Sequence, residues 1–193
     1  MPSLLKKLAS PALDPYRPLL EAFLASDYGA LMQYALANLK PAYFHPSPIH
    51  GQRHNERVLL YGMLIARHER FSMRDTQLLS DACVYHDIGR VNDCVDDYHG
   101  ERSSAKLPEV LDLTGDELRI VQAMTEAHSK DDRIMDDILR KWDVPDLPRS
   151  RMLARALKDA DGLDRVRLDL LDPRYLRFPY SRTLIPLAWA MVK

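Results

Sequence analysis

Six side chains of one chemical kind are strung along this chain: His54, the adjacent pair His86 and Asp87, His99, His128 and Asp161. Neutral imidazoles and carboxylates are the donors proteins use for Fe, Mn, Zn or Mg. Apart from the adjacent pair, the donors are too far apart for one local loop. If they act together, the fold must return to a common centre from several distant segments. Six donors in this order suffice for two metal ions sharing a bridging Asp.

The residues between them favour helices. Glycine is scarce, β-branched runs are absent, and Leu, Ala, Met, Arg, Glu and Asp dominate. Leu19, Leu20, Phe23, Leu24, Leu31 and Leu36 recur at helical spacing, which predicts one or two helices up to Leu39. Pro41, Pro46 and Pro48 make Lys40 to Pro48 a loop. Further helices are expected from His50 or Gln52 to Arg67, and from Met73 to Tyr85. Residues Ile88 to Gly100 read as irregular. Asp116 to Ala127 reads as a helix with Thr114 as N-cap and Glu117 in the capping-box position. Asp131 to Trp142 follows as a short helix, and one from Ser150 delivers Asp161. The expected architecture is all-α, a single-domain helical bundle with the donors in its centre. Residues 1–47 would be N-terminal helices and a proline-rich loop, 48–178 the metal-binding domain, and 179–193 a C-terminal tail.

At 193 residues the chain is long enough for one sizeable core. Hydrophobic residues are 46% and charged residues 28%, values that argue against disorder. The net charge of −1 advertises neither a nucleic-acid nor a membrane partner. Cys83 and Cys94 form no CxxC pair and are expected as reduced thiols in or near the core, which fits a cytoplasmic setting. Met1 to Leu8 is too short and interrupted for a secretory signal, and no apolar run reaches transmembrane length. The apolar stretch Leu184 to Val192 is expected to pack on the domain or on a second copy in a homodimer.

His45, in the proline-rich loop, and His68, at a polar helix end, read as residues without a chemical role. The pattern around the others resembles the HD-domain superfamily of metal-dependent phosphohydrolases. The matching motifs are His54-x-x-Arg57-Val58, Tyr85-His86-Asp87-Ile88-Gly89-Arg90, His99-Gly100-x-x-Ser103-Ser104-Ala105, Ala127-His128-Ser129 and Asp159-Ala160-Asp161-x-Leu163-Asp164. They span roughly residues 48 to 178. The opening His50-Gly51-Gln52-Arg53-His54 is similar to that of a branch of small bacterial HD proteins.

The resemblance implies that His54, His86, Asp87 and Asp161 hold a core metal. Asp87 would bridge to a second ion completed by His99 and His128. The metals would be Fe, Mn, Zn, Mg or Co. Asp159 competes with Asp161 for the last position, and the placement of the ligand in the Ala-Asp pair favours Asp161. The six-donor set resembles both the HD-GYP cyclic-dinucleotide phosphodiesterases and the mixed-valent di-iron oxygenases of the superfamily. Ser129-Lys130-Asp131-Asp132 replaces the Gly-Tyr-Pro of the HD-GYP proteins, which counts against cyclic di-GMP as substrate.

The leading expectation is a phosphohydrolase acting on a nucleotide or other small phosphate ester, with water activated by metal as nucleophile. No serine elbow or Cys-His pair offers a protein nucleophile. Asp87, Arg90 and His50 are the catalytic candidates. His50 precedes His54 by four residues, so the two share a face if one helix includes both. It is expected to meet substrate or a metal-bound water, or else to bond backbone at the helix start. Arg57, Arg90 and Lys130 are candidate phosphate contacts, with Arg53 at the same entrance; a surface salt bridge is the plainer reading of each. Asp93, Asp96 and Asp97 read as a solvated loop or as support for histidine ligands, and Arg165 and Arg167 as their partners. The alternatives to a hydrolase are a di-iron oxygenase and a non-catalytic regulatory module.

Overall fold

Ser26, Ser72 and Asp146 cap three of the helix starts with their side chains. Ser72 Oγ accepts the Asp75 backbone N–H at 3.0 Å and donates to the Asp75 carboxylate at 2.9 Å, while Asp146 accepts the Arg149 N–H at 2.9 Å. These satisfy amide groups that a first helical turn leaves without partners. The computed structural model describes residues 3–193. Its helices are α1 (Ser3–Leu8), α2 (Arg17–Leu24), α3 (Asp27–Ala37), α4 (Gln52–His68), α5 (Met73–Tyr85), α6 (His99–Val110), α7 (Gly115–His128), α8 (Met135–Lys141), α9 (Leu147–Asp164), α10 (Pro179–Thr183) and α11 (Ile185–Val192). Short 3-10 turns link them, and the described residues contain no strand.

The core is built from α4, α5, α7 and α9, which pack against one another. Along α4 every residue from Val58 to Ala66 is buried, so this helix is apolar on all sides and enclosed. α3 and α1 cover α4, α6 and α8 cover α7, and the three-layered result is a single all-α domain. The N-terminal segment is tied down by Glu56, a buried carboxylate on α4 that accepts from Ser3 Oγ at 2.6 Å and the Leu4 N–H at 2.7 Å. The C-terminal apolar stretch forms α11, and Leu187, Ala188 and Met191 are buried against the domain itself. No helix among the described residues is long and apolar enough to cross a membrane.

Several local expectations change. α6 starts at His99, where the sequence reading placed only irregular chain, and extends to Val110. Its buried face consists of His99, Gly100, Ser103, Ser104, Leu107 and Val110, mostly small or polar, so no apolar period marks it. Pro108 sits in its last turn. Proline has no N–H for the carbonyl four residues back; that carbonyl, of Ser104, accepts Gln122 Nε2 from α7 at 3.0 Å instead. Thr114 makes no side-chain cap, and Glu117 pairs with Arg74 of α5 rather than closing a capping box. α9 begins three residues before Ser150, with Pro148 in its first turn. Of the two free cysteines Cys83 is buried, whereas Cys94 is exposed rather than near the core.

Two glycines hold the segment after α5 against its neighbours. A Cβ at Gly89 would lie 2.2 Å from Ser103 N and 2.6 Å from His99 O. One at Gly100 would lie 2.7 Å from both Ser129 Oγ and Thr125 O. Any side chain there would push α6 off the turn after Asp87 or off the end of α7.

Asp81 on α5 carries a stability prediction. Burial pushes its carboxyl up to about 6, against a hydrogen bond from Gln77 and the charge of Arg74. The folded state therefore favours the neutral acid. Stability from this group is fully present below the unfolded carboxyl range near 4 and is lost as pH rises through about 6. Asp81→Asn should melt at nearly the wild-type temperature at pH 4 and a few degrees above it at pH 8. Thermal melts across that range check the direction; an advantage confined to low pH would contradict it.

Candidate metal centre

The six donors arrive from five helices and converge. His54 lies in the first turn of α4, His86 and Asp87 directly follow α5, His99 opens α6, His128 ends α7, and Asp161 lies in the last turn of α9. α4 thus runs opposite to α5, α7 and α9, whose C-terminal ends point at the same place. Helix C-termini carry partial negative charge, which favours a cation.

Each imidazole is oriented by a bond from its Nδ1. His86 Nδ1 donates to Cys83 O at 3.0 Å, and His99 and His128 donate likewise to Asp96 O and Thr125 O, each three residues back. His54 Nδ1 donates instead to Asp164 of α9 at 2.7 Å. Carbonyl and carboxylate oxygens can only accept, so in the neutral rings every Nε2 carries a bare lone pair. Those lone pairs face one another: Nε2 of His54 and His86 are 3.1 Å apart, and Nε2 of His99 and His128 are 2.9 Å apart.

The carboxylates complete two overlapping groups. Nε2 of His54 is 3.5 Å from Asp87 Oδ2 and 3.4 Å from Asp161 Oδ1, and Nε2 of His86 is 3.8 and 3.9 Å from the same two atoms. Asp87 Oδ1 lies 3.2 Å from His99 Nε2 and 3.7 Å from His128 Nε2. Donors bound about 2.1 Å from one ion stand roughly 3.0–3.4 Å apart, close to these separations. Asp87 Oδ1 is buried and has no hydrogen-bond donor among the described residues. Facing lone pairs and an orphaned carboxylate oxygen are the arrangement a cation resolves. Two buried His/Asp triads sharing Asp87 could therefore hold two metal ions.

The electrostatics agree. Burial pushes the His86 imidazole down to about 3, and burial also lowers His128. Burial would raise Asp87 and Asp161, but the surrounding histidines hold both well below the ordinary carboxylate range. Neutral imidazole and ionised carboxylate are the states a metal needs. His54 departs: burial and Arg167 lower it, yet the bonds to Asp164 and Asp87 hold it above its ordinary value. Without a cation, a proton on His54 Nε2 serves the carboxylates that a divalent ion would otherwise bind.

Asp164 is the polar residue the sequence reading undervalued. It is fully buried, holds His54 Nδ1, and accepts Arg57 through two hydrogen bonds, the longer 2.8 Å, with Arg167 Nη1 3.3 Å away. The signal was the spacing: His54/Arg57 and Asp161/Asp164 are two i,i+3 pairs on facing helices. Arg57, expected as a phosphate contact or a salt bridge, pairs with Asp164 and does not line the cleft above the donors. Asp159 is also spent elsewhere. It is buried and accepts the backbone N–H groups of Arg177 and Phe178, each at 2.9 Å, which leaves Asp161 as the α9 carboxylate facing the histidines.

Access is from the Asp161 side. Its side chain is 29% exposed, whereas those of His54, His86, Asp87 and His128 are at most 2% exposed. A cleft of about 580 Å³ opens there, and His50, Arg90 and Lys130 line it. His50 precedes α4; its Nδ1 is 3.0 Å from Asp93, and its Nε2 has no partner among the described residues. Arg90 Nε donates to Asp87 Oδ2 at 2.9 Å. The Lys130 ammonium lies 4.1 Å from the centre of the Tyr98 ring. Arg53 is exposed and outside the cleft. Asp96 pairs with Arg102, and its carbonyl orients His99; Asp93 is bonded by Ser47 and His50. Neither acid meets Arg165 or Arg167 as expected, because Arg167 is held by Asp164 and Ile49 O. His45 lies 3.6 Å from Asp93, and His68 stacks on Tyr180 at 3.8 Å.

No family model matches this chain, and no curated protein or solved structure is significantly similar to it.

Four outcomes are expected of purified protein. Metal removal should lower the melting temperature by several degrees, because bare lone pairs and carboxylates are left facing one another; an unchanged melt after proven removal would contradict the site. Asp161→Asn should lower the metal content per chain, and Asp164→Asn should weaken metal binding about 10- to 100-fold through loss of His54 orientation. Asp159→Asn should destabilise while keeping full metal content. Elemental analysis of the three variants separates these roles.

Proposed function

We propose that this protein is a metal-dependent phosphohydrolase of the HD-domain type, acting on a nucleotide or other small phosphate ester. The observation that carries the reading is the convergence of four histidine Nε2 atoms on Asp87 and Asp161 beneath a cleft bearing cationic side chains. Divalent ions in such a place supply Lewis acidity toward phosphoryl oxygens and a nucleophile at neutral pH by acidifying water. The chain's own groups do the rest. His54, His86, Asp87 and Asp161 would form one position, and Asp87, His99 and His128 the other. Arg90 and Lys130 would receive phosphate oxygens, Arg90 in a bidentate manner. His50, held through Nδ1 by Asp93, presents an uncommitted Nε2 suited to contact substrate or its leaving group.

Elemental analysis followed by a phosphate-release screen over nucleotides and sugar phosphates tests the proposal. Release supported by Mn, Mg, Zn or Co is the expected result. Two irons with a mixed-valent EPR signal and no phosphate release would replace it with the oxygenase reading. Within the hydrolase reading, Asp87→Ala should lose both ions and nearly all activity. His128→Ala should lose one ion and roughly a hundredfold or more in turnover. One ion with a wild-type rate would refute a two-metal reaction, and two ions retained would remove His128 from the ligand set.

A further inference from the structure

The two metal positions are unequal in charge. With all four imidazoles neutral, the only anionic groups facing the centre are Asp87 and Asp161. Asp164 is already neutralised by Arg57 and Arg167. One divalent cation therefore balances the two carboxylates, and a second brings a double positive charge with no protein counter-charge. Arg90 adds to the excess. Its Nε is 2.9 Å from Asp87 Oδ2, and its Nη2 is 3.5 Å from His99 Nε2, the atom the second position needs. Guanidinium does not deprotonate, so its charge stays. The donor count points the same way: the first position has four donors, and the second has three, one of them the shared Asp87.

The acids at the cleft mouth do not restore the balance. Asp93, held by Ser47 and His50, is exposed at the mouth, where solvent screens its charge, and Asp96 is paired with Arg102. Asp97 is exposed, so solvent screens its charge, and Lys130 and Arg165 add positive charge to the same rim. Hydroxide formed from metal-bound water supplies at most part of the missing negative charge, and the cationic rim favours a multiply charged anion for the rest.

We propose that the second metal ion, at Asp87, His99 and His128, binds this protein strongly only together with a phosphate-type anion, and that Arg90 enforces this coupling. An anion arriving in the cleft offers Arg90 a bidentate partner, drawing the guanidinium from His99 and Asp87 while supplying charge to both ions. The coupling is reciprocal, so the ion raises affinity for the anion by the same factor. The proposal rests on the two-position metal reading of the site and not on which reaction follows.

The test is a titration of chelator-stripped full chain with Mn²⁺, below its melting temperature, with and without millimolar inorganic phosphate. Bound ions per chain are read by equilibrium dialysis and by the EPR signal of free Mn²⁺. Wild type should take up one ion tightly; the second should bind at least tenfold more tightly with phosphate than with chloride alone. Arg90→Gln should bind the second ion at least tenfold more tightly than wild type without phosphate, and phosphate should then matter less. Arg90→Lys, which keeps the charge, should retain the phosphate dependence and controls for damage to the loop. Two ions bound equally well by wild type without phosphate would overturn the proposal, as would an unchanged second dissociation constant in Arg90→Gln. Coupling without any phosphate release from substrates would leave it standing and remove the hydrolase reading instead. Absence of any bound metal would overturn both.

Discussion

The bond from each histidine's Nδ1 is the constraint on which the rest of the site depends. An imidazole held through Nδ1 by an oxygen that can only accept has one tautomer, and its Nε2 is left without a proton. Three of these bonds are local, running from His86, His99 and His128 to the carbonyl three residues back. The fourth, from His54 to Asp164, crosses from α4 to α9. Four bare lone pairs buried beside two ionised carboxylates would be an unfavourable core without a cation. The site is thus coupled to the fold: helices brought together by apolar packing position donors whose mutual repulsion a bound cation, or in its absence a proton on His54, relieves.

Local chemistry and global packing divide this work. The C-terminal turns of α5 and α7 have carbonyls with no amide of their own helix to receive. His86 and His128 use such oxygens, so the end of each helix supplies both a ligand and its support. His54 stands in the first turn of α4, where no preceding helical carbonyl exists, and α9 provides a carboxylate instead. That carboxylate is itself stabilised by Arg57 and Arg167, so one buried ion-pair cluster fixes the helix pair and the ligand together. Removing one member of such a cluster leaves the others as uncompensated buried charges, which costs about 3–5 kcal/mol. Lys158 performs a related task at α7: its buried ammonium donates to Ala127 O and Lys130 O, closing the helix next to His128.

The arrangement also explains why the cleft opens where it does. Of the six donors, Asp161 is the one with a substantial share of its side chain in contact with solvent. The turn after α5, the end of α7 and the chain after α9 surround that opening and supply the cations Arg90, Lys130 and Arg165. A negatively charged ligand would meet the positive rim before it reaches the buried donors, and the positive charge of bound metal would reverse the local effect of Asp87 and Asp161. The exposed apolar side chains Val95, Leu170 and Tyr175 at the same mouth offer contact to a less polar part of a substrate.

By itself the sequence determined the helical class, the central helices from Gln52 and Met73, and the six donors in order, because apolar spacing and metal-type side chains are local signals. The family resemblance, not a local signal, favoured Asp161 over Asp159. The rest was decided by tertiary contact. α6 was invisible because its buried face is lined by Ser103, Ser104 and glycine, whose value lies in close approach to neighbours rather than in hydrophobicity. Thr114 has the residue type of a cap but makes no capping bond, and Glu117 finds Arg74 on another helix. Arg57 and Arg90 are the same residue type near the same site. Only the fold turns one toward Asp164 in the interior and the other toward Asp87 at the edge of the cleft. A side chain's chemistry is written in sequence, but which partner it meets depends on helices more than a hundred residues apart, as His54 and Asp164 are.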